Sequence, residues 1–221
     1  MFRRFFKPGF VLLPMQKKVY NAAEASEIVK KFVRIPRQEV AESLDEIKME
    51  PPLVLKLLSK DALHKTEFNG VQIVKYKEAI KPAFDSIMKE AEKRKLEVDG
   101  ILVQEYIPGV EAIIGIKKDP VFGHMIIFGA GGIFTEILAD TSTRKCPVSP
   151  EDAEEMIEEL RSEKMFHGAR GVNVDIEELK KAIVSVSRLP LKNPEIEELD
   201  INPFTSNSSG CFAVDVRIIT S

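Results

Sequence analysis

The sequence predicts an α/β protein of two lobes, and three observations carry that expectation. Apolar runs of strand length, Leu53–Leu58 above all, alternate with segments whose apolar residues recur every three or four positions, the period of a helix. The 221 residues, 44% hydrophobic and 30% charged, suffice to bury a full core in one large domain or two smaller ones. The pattern also restarts near Gly100, where a new buried strand follows a long amphipathic helix.

Charge and cysteine content narrow the class. With 32 basic against 35 acidic residues the net charge is −3, so nothing global points to nucleic acid or to an anionic membrane, and any anion site must be local. Cys146 and Cys211 lie far apart and outside any CxxC arrangement, which argues against a zinc site and against a disulfide-rich secreted domain. A reducing cytoplasm fits that usage.

The first segment, residues 1–14, mixes Arg3, Arg4 and Lys7 with Phe2, Phe5, Phe6 and Phe10. It resembles a signal peptide in part, but Pro8-Gly9 interrupts the apolar run and no small-residue cleavage site follows. It reads as a flexible extension, with Met15 as an alternative start. From Asn21, a fitting N-cap, apolar residues at Ala22, Ala25, Ile28, Val29 and Phe32 predict a helix. Gln38–Ala41 reads as a short strand, and Ser43 as the cap of a short acidic helix over Leu44–Lys48, ended by Pro51-Pro52. Leu53–Leu58 is the strand covered on both faces. Lys56 inside it either has an anionic partner or snorkels from an edge.

Residues 59–70 are polar and turn-rich, as in a loop over a site. His64 there is either solvated or, being neutral near pH 7, available as a nucleophile. A strand over Val71–Val74 and an amphipathic helix over Lys77–Lys95 follow. Ile101–Tyr106 and Val110–Ile116, joined by Pro108-Gly109, read as a hairpin. The backbone of Gln104, Glu105 and Tyr106 could meet an adenine edge, and Glu111 a ribose hydroxyl or a cationic side chain. His124–Phe128 is another strand.

Gly129-Ala130-Gly131-Gly132 then places glycine where backbone must run close to something, and loops rich in N–H groups suit anions. No G-x-G-x-x-G inside a βαβ unit and no G-x-x-x-x-G-K-[ST] occurs, which excludes the dinucleotide fingerprint and the P-loop. Arg144 is either a surface charge or a phosphate ligand. Two helices follow, one capped at Ser149-Pro150 and one carrying Ile176, Leu179, Ile183 and Val186. The last two apolar runs, Glu198–Phe204 and Phe212–Ile218, form a hairpin signal around a turn at 205–210. Pairing across it brings Asn202 and Asp215 together, and an amide carbonyl with a carboxylate can hold Mg²⁺ alongside water and nucleotide phosphates.

Taken in order, Val54-Leu55-Lys56, Leu63-His64-Lys65 with Gly70-Val71, Val103-Gln104-Glu105, Pro108-Gly109-Val110-Glu111, Phe128–Glu136, Arg144 and Leu199-Asp200-Ile201-Asn202-Pro203 resemble the ATP-grasp β subunit of ADP-forming acetyl-CoA (acyl-CoA) synthetases, relatives of succinyl-CoA synthetase. The resemblance runs from about Tyr20 to Ile218. It implies an α/β ATP-grasp fold with ATP or ADP and Mg²⁺ bound between the lobes. It also implies a reaction that interconverts acyl-CoA, ADP and phosphate with acid, CoA and ATP through an acyl phosphate and a phosphohistidine. Lys56 would hold nucleotide phosphate, Gln104, Glu105 and Tyr106 the adenine, and Glu111 the nucleoside. Gly131, Gly132, Glu136 and Arg144 would line the nucleotide, Asn202 and Asp215 would ligate the metal, and His64 would relay phosphate.

The resemblance assigns 15–37 and 101–221 to a larger lobe with the metal site, and 38–100 to a smaller lobe with Lys56 and His64. It implies a separate CoA-binding α subunit in a heterotetramer-like assembly, since no segment here resembles a CoA-binding unit. The family loop usually reads His-Lys-Ser-Asp-x-Gly-Gly-Val; here it is His64-Lys65-Thr66-Glu67-Phe68-Asn69-Gly70-Val71, and Asn69 tolerates the left-handed backbone such a turn requires. The alternative is a nucleotide-sensing regulatory ATP-grasp module of a protein acetyltransferase system. Joint retention of Lys56, His64, Asn202 and Asp215 favours catalysis, because a sensor needs no phosphoryl-accepting histidine.

Overall fold

The computed structural model describes residues 17–59, 69–132, 139–168 and 174–221. Its strands are β1 (Lys18–Tyr20), β2 (Gln38–Ala41), β3 (Leu53–Leu58), β4 (Val71–Val74), β5 (Gly100–Glu105), β6 (Val110–Asp119), β7 (Gly123–Ala130), β8 (Thr141–Lys145), β9 (Ile196–Asn207), β10 (Gly210–Ala213) and β11 (Val216–Thr220). Its α-helices are α1 (Ala22–Val29), α2 (Ile80–Lys93), α3 (Pro150–Glu158), α4 (Ile176–Ser187) and α5 (Leu189–Lys192). Among the described residues no helix is long and apolar enough to cross a membrane.

The strands form two sheets among the described residues. The smaller has the order β2-β5-β3-β4, all antiparallel. One face carries Leu53, Leu55, Leu57, Ile101 and Val103, which pack with Phe84, Ile87 and Ala91 of α2. Each such leucine, fully buried, contributes about 1.5–3 kcal/mol. Pro82 is tolerated in α2 because it sits in the first turn, where N–H groups lack a helical partner. Alternation along β3 sends Val54, Lys56 and Leu58 to the other face. There Leu58 and Leu102 meet Ala22 of α1, so apolar contact joins this sheet to the rest of the chain.

The larger sheet runs β1-β11-β9-β6-β7-β8, with β10 also paired to β9. Helices α1, α3 and α4 cover one face, burying Ala25, Val29, Met156, Ile157, Leu179 and Ile183 against Ile114, Phe128, Leu199 and Ile201. Reciprocal caps start two of these helices. Asn21 accepts the Glu24 N–H while Glu24 accepts the Asn21 N–H, both at 3.0 Å, and Ser149 with Asp152 repeats the pattern before α3.

The structure differs from expectation at three elements. The acidic helix after Ser43 shrinks to a 3₁₀ turn, Leu44–Glu46, with no side-chain cap from Ser43. Thr141–Lys145 forms a strand that its polar sequence concealed. The hairpin of Ile101–Tyr106 with Val110–Ile116 does not form: β5 pairs with β2 and β3, and β6 with β7 and β9. The chain passes between sheets at residues 106–109, so β5 completes the smaller sheet rather than opening the larger one. The cause is physical: the apolar faces of β5 match α2 and β3, a choice that a local turn signal does not determine.

Candidate nucleotide site

The site lies on the face of the larger sheet opposite α1, α3 and α4 and on the facing side of the smaller sheet. In β9, Leu199 and Ile201 enter the helical core, so Glu198, Asp200 and Asn202 stand on the opposite face. The same alternation in β6 puts Glu111 on that face, against buried Ala112 and Ile114.

Asn202 and Asp215 meet where β9 changes partner. It pairs first with β11, as far as Ile201, and then with β10 from Phe204, and the junction on the partner side is Val214-Asp215. There the Asn202 N–H donates to the Asp215 carbonyl at 3.0 Å, and the Val214 N–H to the Pro203 carbonyl at 3.1 Å. Backbone pairing therefore holds the two side chains as neighbours. Among the described residues no three His, Cys, Asp or Glu side chains cluster tightly enough to hold a metal on their own. Two oxygen ligands completed by phosphate and water are, however, what Mg²⁺ accepts, so Asn202 and Asp215 fit that ion.

Lys56 reaches the same junction from the smaller sheet. Its side chain is 4% exposed, and its ammonium donates to the Val214 carbonyl at 2.8 Å and to Gln104 Oε1 at 2.9 Å. The Gln104 amide in turn donates to Gln38 Oε1 at 2.9 Å. Lys56 is thus buried on an inner strand, with two neutral oxygens among its partners, and is not a snorkelling edge residue.

Glu111 and the glycines also come together. The Gly131 N–H donates to the Glu111 carbonyl at 2.8 Å, and a Cβ on Gly131 would fall 2.6 Å from the Glu111 carbonyl carbon, so only glycine fits. A Cβ on Gly132 would lie 3.8 Å from Glu111 Oε2. What the backbone runs close to at Gly131 is the start of β6.

Other expected residues fare differently. The Glu105 N–H donates to the Arg37 carbonyl and the Tyr106 N–H to the Pro52 carbonyl, so these two donors are committed and do not face an adenine edge. The Glu105 carboxylate pairs with Arg37 at 3.0 Å, and that hydrogen bond holds it below the usual carboxylate range. Arg144 is not brought to the site. It is opposite Ile126, on the helix-covered face, and its guanidinium pairs with Glu159 and Glu155 of the α3 segment. His64 and Glu136 lie outside the described residues.

Asp200 is a site residue that the sequence reading passed over. It stands two positions before Asn202 on the same face and opposite Arg217. Asp200 is exposed in this structure. Desolvation, then the charges of Asp215 and Glu198, push its carboxyl above the ordinary range, with Arg217 opposing. The period of two along β9 was the signal that could have found it.

Comparison with known proteins identifies the family and the fold. Residues 12–220 match the family model of the ATP-grasp domain. The chain is 40% identical over 207 residues to the β subunit of ADP-forming acetate–CoA ligase I from Pyrococcus furiosus, covering 89% of each. Its fold is similar to that of dinucleotide-forming acetyl-coenzyme A synthetase 1 from Ca. Korarchaeum cryptofilum solved with coenzyme A and Ca-AMPCP. There the TM-score is 0.88 and the identity 36%, over 92% of this chain and 94% of that one. That synthetase has also been solved with coenzyme A and Mg-AMPPCP, its phosphohistidine segment pointing towards the nucleotide-binding site. This second structure matches with a TM-score of 0.78 and 36% identity, over 90% and 92% of the two chains.

Proposed function

The chain belongs to the ATP-grasp domain family and to its ADP-forming acetate–CoA ligase β-subunit relatives, and we propose on that footing that it is the nucleotide-binding β subunit of an ADP-forming acyl-CoA ligase. The reaction interconverts acyl-CoA, ADP and phosphate with the free acid, CoA and ATP. The observation that carries the reading is the convergence of Lys56 from one sheet with Asn202, Asp215 and Val214 from the other.

In this reading MgADP or MgATP lies between the sheets. Lys56 neutralises phosphate charge, and its near-complete burial strengthens that interaction relative to water. Asn202 and Asp215 hold Mg²⁺, which would supply charge neutralisation on the phosphate oxygens. His64 takes the phosphoryl group from the partner's phosphohistidine or from ATP. In the ATP-forming direction its N–P bond breaks as a β-phosphate oxygen of ADP forms the new P–O bond. A neutral imidazole needs no prior deprotonation for the reverse attack.

The CoA-binding half of the reaction is assigned to a separate α subunit, consistent with the name of the Pyrococcus relative as a β subunit of matching length. That match to a ligase subunit does not favour the regulatory-module alternative. The test is to assay the purified chain with acid, CoA and MgATP, alone and with a co-expressed CoA-binding subunit. Acyl-CoA should form only with the partner; formation by the chain alone would overturn the two-subunit reading, and none with the partner would overturn the ligase reading.

A further inference from the structure

We propose that the groove between residues 30–34 and helix α4 is an anion site that takes a small phosphate-bearing molecule, separate from the candidate nucleotide site. Lys30, Lys31, Arg34 and Lys181 line a groove of about 400 Å³ over a buried floor that includes Val33 and Ala182. That volume lies in the range of small-ligand pockets, roughly 300–1,000 Å³. The groove is on the helix-covered side of the larger sheet, whereas Asp200 and Asn202 stand on the other face. Its wall is clamped in place. The Ser185 hydroxyl donates to the Phe32 carbonyl at 2.6 Å, and the Ala213 N–H to the Arg34 carbonyl at 2.9 Å. Arg34 Nη1 donates to the Ser209 carbonyl at 2.9 Å, and a Cβ on Gly210 would fall 2.8 Å from that nitrogen, so the turn is shaped around the guanidinium.

Charge decides what the groove takes. Among the described residues its lining holds four cations and one carboxylate, Glu178, although the chain as a whole carries a net charge of −3. Arg34 is committed to Glu178 at 3.5 Å and Lys30 to Glu27, whereas Lys31 and Lys181 have no ion pair among the described residues. The neighbouring concavity between α3 and α4 shows the contrast. There Glu151, Glu154 and Glu177 answer Lys180, Lys181 and Arg188, and Lys180 pairs with two of the three carboxylates. Like charges gathered without counter-charges repel, and a bound anion relieves them. Each lysine ammonium is a mobile point charge with three donors, so two of them suit a phosphate, with its several oxygens and up to about two charges, better than a single carboxylate. Lys31 and Lys181 supply the binding charge, and Arg34 and Ser185 hold the wall.

The experiment titrates inorganic pyrophosphate and, separately, Mg²⁺-free ADP into the full chain by calorimetry at about 0.1 M salt, with MgADP titrated in parallel. The proteins are the wild type, K31M/K181M and K56M, with thermal unfolding alongside; both groove lysines are exposed, so their removal should leave the fold intact. Saturable pyrophosphate binding should persist in K56M. K31M/K181M should lose about tenfold or more in affinity at that site, the order of one charge-assisted hydrogen bond, and keep the wild-type affinity for MgADP. Tighter binding of ADP than of pyrophosphate at the groove would identify a nucleoside phosphate as the ligand, and the reverse order an inorganic one. Pyrophosphate binding that K31M/K181M leaves unchanged, or that K56M abolishes, would overturn the proposal by placing the anion in the nucleotide site. An equal loss of MgADP affinity in K31M/K181M would overturn the separateness of the two sites. A polyglutamate peptide that binds the groove more tightly than either phosphate would overturn the ligand class in favour of an acidic protein segment.

Discussion

Lys56 Nζ stands 2.8 Å from the Val214 carbonyl, a hydrogen bond from an inner strand of the smaller sheet to the strand junction of the larger one. One residue further along is Asp215, whose own carbonyl accepts the Asn202 N–H. Lys56 and the proposed metal ligands Asn202 and Asp215 are therefore linked through the backbone at Val214-Asp215. A shift of either sheet moves both halves of the site.

Lys56 sits in an almost closed slot between the two sheets, 4% exposed. K56R keeps the charge, but its planar fork cannot reproduce two bonds to oxygens in different sheets within a slot that is 4% exposed. The expected cost is about 1–3 kcal/mol of stability, with weaker MgADP binding. Urea unfolding of K56R at wild-type stability would show that the slot is not tight.

Asn202 and Asp215 are held through their backbones, so their side chains are free to serve a ligand. N202A and D215A should leave the unfolding midpoint nearly unchanged and weaken nucleotide binding chiefly when Mg²⁺ is present. Calorimetric titration showing the same affinity and the same Mg²⁺ dependence as wild type would remove the metal assignment.

Gly131 admits no side chain, because a Cβ would fall 2.6 Å from the Glu111 carbonyl carbon. G131A must push the loop away from β6, at an expected cost of about 1–3 kcal/mol and with lower MgATP affinity. If G131A matches wild type in both unfolding and titration, the approach of the loop to Glu111 is not needed.

Asp140, 7% exposed, ties the chain before β8 to the turn after α3. Burial alone would raise its carboxyl, but the Ser162 hydroxyl at 2.5 Å and the Arg161 and Ser162 N–H groups at 2.9 Å outweigh that and hold it below the ordinary value of 3.8. A depressed acid binds fewer protons folded than unfolded. Its stabilisation is thus present above the unfolded value and is lost as pH falls through the lower folded one. D140N should lose about 1.5–3 kcal/mol at pH 7 and progressively less in acid. Urea unfolding at both conditions decides it, and a pH-independent difference would mean that the carboxylate charge is not the stabilising feature.

Much of this was legible in the sequence where the signal is local. The Asn21 cap, the doubly buried Leu53–Leu58 strand with its lysine, and the approach of Asn202 to Asp215 all follow from short-range chemistry. Asn69 adopts the left-handed backbone expected of it, with φ of 60°. What escaped depends on tertiary register. Nothing in Thr141–Lys145 announces a strand, because its alternation is between polar residues. Only its pairing with β7 reveals that Arg144 faces the helices rather than the candidate nucleotide site. Likewise Pro108-Gly109 reads as a hairpin turn, whereas the strands on either side belong to different sheets.

The most direct measurement follows phosphate through this subunit. With a CoA-binding partner present, incubation with ATP labelled at the γ-phosphate should place an acid-labile, base-stable label on His64 of this chain, as a phosphohistidine requires. H64A should retain MgATP binding yet carry no label and support no acyl-CoA formation. An H64A complex that turned over at the wild-type rate, or a wild-type chain that stayed unlabelled through turnover, would contradict a phosphoryl relay through this subunit.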